Sequence, residues 1–147
     1  MKHAAVLFAY AWIGAYFLGG LLEYPAMDAM TFTRWLTASP VAIIIVAALL
    51  SSVRFLLIGA LYHWLRGEGG WARDAAAAWA GLLLIDVLFA AFAARFSSFG
   101  LGRVVSPFEL LNLGAALLGA WLADEHSWRP GLREARQWLL GTADWAR

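Results

Sequence analysis

Few side chains in this chain can do chemistry, and the ones that can are in unusual places. Only 14% of its 147 residues are charged, and it has no cysteine. Disulfides, thiolate metal sites and cysteine nucleophiles are therefore excluded. Arg54 and Asp86 each stand inside a long apolar run. A charge in the middle of a membrane helix costs about 2.5–3.5 kcal/mol on insertion scales, so each group needs a partner. The two lie symmetrically about residue 70, at the end of the Gly67-Glu68-Gly69-Gly70 turn that joins their runs. In an antiparallel hairpin they reach nearly the same depth. Three roles fit. They can form a buried ion pair that sets the hairpin's register. They can carry protons or ions. Or Arg54 can snorkel to the headgroups while Asp86 faces a partner chain. Ser51 shares the Arg54 face and Trp79 the Asp86 face at helical spacing.

A second set of polar groups belongs to the opposite side. Glu109 and Asn112 are one turn apart, and Glu23 closes the first apolar run on that same side. Asn binds neighbouring helices through its amide. Glu109 is well placed in a first helical turn, where the helix dipole favours a carboxylate. Convergence of Glu23, Glu109 and Asn112 would make a cation or headgroup site.

His3, His63 and His126 fall at one level, with Glu68, Asp124 and Glu125 nearby. Imidazoles and carboxylates are metal ligands by type. No His-x-x-x-His spacing supports a metal, however, and no histidine is deep enough for an axial haem ligand. They read as interfacial residues, and no cofactor is expected. No Ser-His-Asp set, HExxH, phosphate loop or dinucleotide fingerprint occurs. A formal charge of +1 excludes a strongly basic nucleic-acid binder.

The elements that position these groups follow from composition. The chain is 63% apolar with a mean hydropathy of +0.68, far from the roughly 25% charge of a soluble domain. A membrane helix needs about 20 mostly apolar residues. Four runs qualify, at about residues 4–22, 41–65, 75–94 and 108–123. The expected fold is an all-α membrane protein with four spans in a compact bundle of two hairpins. Ser39-Pro40 and Ser106-Pro107 are helix-start signals, the Gly67–Gly70 turn a stop, and Pro25 the end of the first helix. Residues 30–36 read as a short surface helix. Residues 127–147 read as an interfacial segment, amphipathic from Leu132, with Trp138 and Leu139 opposite the arginines. Small-residue stripes at Ala11, Ala15 and Gly19, and at Ala115, Gly119 and Ala123, suit close helix packing. A shift of 67 residues overlays Ala11-Trp12-x-Gly14 on Ala78-Trp79-x-Gly81 and Ser39-Pro40 on Ser106-Pro107, a weak internal repeat.

Lys2, Arg66, Arg73, Arg129, Arg133 and Arg136 lie on the N-terminal side of the spans, against Arg34, Arg95 and Arg103 on the other. Both termini are therefore expected in the cytoplasm. The Ala-, Gly- and Arg-rich composition suggests a bacterial inner membrane. The expected function is a non-catalytic accessory or assembly subunit, with the bilayer and other membrane subunits or itself as partners. The alternative is a small oligomeric transporter or channel using Arg54, Asp86, Glu23 and Glu109.

Overall fold

Long apolar runs without period-two alternation leave the helix as the way to pair every backbone group. The computed structural model describes residues 2–32, 40–67, 69–93, 109–126 and 129–141. These residues hold five helices and no strand. They are α1 (Lys2–Phe32), α2 (Pro40–Arg66), α3 (Trp71–Ala93), α4 (Glu109–His126) and α5 (Pro130–Gly141). Three of them contain a stretch long and apolar enough to cross a membrane. The stretches are His3–Leu22, Ala48–Arg66 and Trp71–Phe92.

The fourth apolar run becomes α4, which is not among those three. Its 18 residues span roughly 27 Å at 1.5 Å per residue. They include Glu109, Asn112, Asp124, Glu125 and His126, so polar groups at both ends dilute its hydropathy. A second difference concerns Pro25. The helix does not stop there but runs on to Phe32. Pro removes one backbone donor, while the Ala and Met residues that follow favour the helix. Residues 30–32 are thus the last turn of α1, and 33–36 lie outside the described residues, as do Ser39, Ser106-Pro107 and 142–147.

The joint between α2 and α3 is built by glycine. Gly67 takes φ 63° and Gly69 φ 131°, values open to glycine at little cost. The Gly67 N–H donates to the His63 carbonyl at 2.9 Å, closing α2. The Gly70 carbonyl then accepts from the N–H groups of Arg73 and Asp74, opening α3. The chain reverses in four residues, so α2 and α3 are antiparallel neighbours.

α2 is the central helix, packing on α1, α3 and most extensively α4; α4 also packs on α3. One core cluster joins Ala11 and Ala15 of α1 with Ile58, Tyr62 and Leu65 of α2 and Ala78 of α3. Phe8 meets the Tyr62 ring edge-on at 6.1 Å, and Gly19 lies against the Arg54 stem. The start of α1 therefore sits beside the end of α2. The second cluster joins Phe55 and Ala75 with Ala116 and Ala120 of α4. Small side chains let α2 and α4 touch backbone to backbone. A Cβ on Gly59 would strike the Ala116 carbonyl, and one on Gly119 the Leu56 carbonyl. On α4 the fully buried small residues are Ala116 and Ala120, with Gly119 buried and Ala115 and Ala123 partly covered.

Candidate functional site

Among the described residues, a dense polar cluster lies where α2 ends, α3 begins and α4 ends. Asp74 occupies the first turn of α3 and is 0% exposed. A buried carboxylate requires charged or hydrogen-bonding partners, and Asp74 has them. Arg66 donates to its Oδ1 at 2.5 Å. His63 Nδ1 meets its Oδ2 at 3.0 Å. Arg73 Nε stands 3.8 Å from Oδ1. The other imidazole nitrogen, Nε2, lies 3.2 Å from Asp124 Oδ1. His63 is thus a buried ring held between two carboxylates from two other helices. An ionised carboxylate only accepts. A singly protonated ring can donate to one of them, and an imidazolium to both.

Arg136 brings α5 to this cluster. Arg136 donates to the Arg66 carbonyl at 3.4 Å, and its guanidinium lies directly over Gly67. The last carbonyls of α2 have no intrahelical donor, and a cation there complements the helix dipole. The Arg136 Nε is out of water and has no hydrogen-bond partner among the described residues. A cavity of about 50 Å³ remains between the turn, Asp124, Arg133 and Arg136.

Arg54 and Asp86 line one cavity of about 70 Å³ with Trp12, Ala15, Tyr16, Ile58 and Leu82. Arg54 lies 5.2 Å from the centre of the Tyr16 ring, a cation–π arrangement. Arg54 and Glu109 are both within electrostatic reach of the Asp86 carboxylate. Glu109 opens α4 and accepts from Asn112 Nδ2 at 3.3 Å. Glu109 Oε2 and Asn112 Oδ1 are buried with no partner among the described residues. Glu23 and Ser51 lie in α1 and α2, and His126 ends α4, but their side chains fall outside the described ones. His3 is exposed at the start of α1, and the partners of His63 are carboxylates. No group of three His, Cys, Asp or Glu among the described residues is arranged to hold a metal ion.

Sequence reasoning gave Asp74 no role, because it placed the third span from residue 75 and left Asp74 in the loop. A signal was available. The midpoint of positions 63 and 74 falls inside the Gly67–Gly70 turn, so a tight antiparallel hairpin must bring His63 and Asp74 together. Arg66 follows His63 by three residues, on the same face. The sequence put Asp124 at the level of His63 but not in contact with it, since the two meet across 61 positions. The cluster stands on its own geometry: no protein-family model, curated protein or solved structure matches this chain.

Proposed function

We propose that this chain is a multi-pass inner-membrane protein. In this reading α1 to α4 form a four-helix transmembrane bundle and α5 lies at the cytoplasmic surface. Its role is that of a non-catalytic accessory or assembly subunit. One observation carries the reading. Among the described residues, two cavities reached by ionisable groups measure about 50 and 70 Å³, below the roughly 300–1,000 Å³ of organic-ligand sites, and a larger one of about 370 Å³ is lined by Ser52 and otherwise apolar residues. Large apolar side chains such as Phe17, Leu88, Phe89 and Phe92 face outward instead. Outward apolar faces suit lipid or neighbouring membrane helices. The bacterial placement rests on composition, and the orientation on the arginine bias.

The test is purification of the tagged protein in mild detergent with intact-complex mass measurement. A stoichiometric unrelated subunit is the expected result. A clean homo-oligomer overturns the subunit role and favours a second reading, a small transporter or channel. That reading has its own support in the cavity shared by Arg54 and Asp86, with Glu109 in electrostatic reach. The paired exchange Arg54→Asp with Asp86→Arg separates the two. A subunit assembles normally with the exchanged charges. A proton or ion carrier folds but loses flux, because the titrating carboxylate has moved.

A further inference from the structure

The cavity beneath α5 has the chemistry of a phosphate site. Two arginines on successive turns of α5, Arg133 and Arg136, line it together with His63, Trp64, Gly67 and Asp124. Among the described residues, Arg136 is committed at one end only, to the Arg66 carbonyl. Its Nε is shielded from water without an acceptor among the described residues, and a buried charged donor left so costs free energy until an acceptor arrives. Asp124 is the one carboxylate among the described lining residues, and His63 Nε2 faces it at 3.2 Å. The guanidinium fork matches the oxygens of a phosphate in a way that an ammonium does not.

The location selects the phosphate's source. The cavity lies at the end of three helices long and apolar enough to cross a membrane. Leu132, Trp138 and Leu139 of α5 are exposed, and Trp64 is at the level where belt residues meet headgroups. We propose that Arg133 and Arg136, seated on the α2–α3 turn, bind the headgroup phosphate of an anionic phospholipid. Lipid binding then stabilises the docking of α5 against the end of α2. This rests on the membrane reading above.

The experiment reconstitutes the full chain into nanodiscs of phosphatidylcholine containing a minority of phosphatidylglycerol. Native mass spectrometry then weighs the lipids that leave with the protein. Wild type is expected to retain phosphatidylglycerol in excess of its share. Arg136→Lys keeps the charge but removes Nε and the fork, and is expected to lower that enrichment about tenfold, the worth of a charge-assisted hydrogen bond. Arg133→Lys is expected to lower it in the same direction, and Arg129→Lys, outside the cavity, to leave it unchanged. Gly67→Ala adds no charge but displaces the Arg136 guanidinium, and is expected to lower it too. Enrichment that survives Arg136→Lys and Arg133→Lys overturns the site, because charge alone then explains it. Excess inorganic phosphate that erases the enrichment overturns the lipid assignment in favour of free phosphate. Failure of wild type to enter the discs is a different result, and overturns the membrane reading itself.

Discussion

Asp74 and Asp124 both touch His63, yet their environments make them unequal. Asp74 is fully buried, and its side chain answers to Arg66 at 28% exposure. Removing its charge strands a guanidinium and an imidazole, and breaking a buried pair in this way costs about 3–5 kcal/mol. The Asp124 side chain is 50% exposed, and half-solvated pairs contribute about 1 kcal/mol or less. Asp74→Asn should therefore lower the unfolding free energy by several kcal/mol, and Asp124→Asn by under about 1 kcal/mol. Equilibrium unfolding in mild detergent, followed by circular dichroism, measures both. Equal losses would contradict the assignment of Asp74 as the anchor. His63 was visible in the sequence as a residue type of interest, but its neighbours read as loop acids. What changed its meaning was the four-residue reversal, which folds the last turn of α2 onto the first turn of α3.

At the scale of elements, the contact that organises the molecule is the one between α2 and α4. Its closeness depends on the missing Cβ atoms of Gly59 and Gly119, each seated on a backbone carbonyl of the other helix. A backbone carbonyl cannot rotate away as a side-chain tip can, so the helices themselves must separate. Gly59→Ala and Gly119→Ala should each destabilise by about 1–3 kcal/mol, the range for overpacking. A methyl group added at Gly114 would meet nothing within 4 Å. Gly114→Ala should therefore be neutral or stabilising by up to about 1 kcal/mol through helix propensity. Thermal unfolding of the three variants in one detergent checks the order. The stripe at Ala11, Ala15 and Gly19 was legible because a four-residue spacing keeps one face of a helix. On α4 the same spacing left two neighbouring stripes, and only the crossing with α2 separated Ala116 and Ala120 from Ala115 and Ala123.

For the whole molecule, contacts at one end relate the chain segments to one another. Phe8 of α1 meets Tyr62, His63 meets Asp74 and Asp124, and Arg136 meets Arg66. The start of α1, the α2–α3 turn, the end of α4 and α5 therefore share an end. Under the proposed topology that end is cytoplasmic, where the arginine bias puts it. Because the chain has no native cysteine, single replacements report the side directly. His3→Cys and Gly131→Cys should both resist a membrane-impermeant maleimide in intact spheroplasts and react after permeabilisation. Labelling of either one before permeabilisation would overturn the orientation.

Apolar composition by itself determined that the described chain is helical and that three of its helices are long and apolar enough to cross a bilayer, because backbone groups without water must pair within their own segment. Turn chemistry by itself determined where α2 reverses into α3, because few residues other than glycine adopt those angles. The partners of the buried charges were decided only in three dimensions. Arg54 and Asp86 shared a depth by counting, but the cavity between them and the Tyr16 ring under Arg54 depend on how α1 lies across α2. Asp124 and Arg136 reach the His63 cluster from distant positions in the chain. Helix periodicity reports which face a residue occupies, whereas the neighbour that covers that face is set by packing.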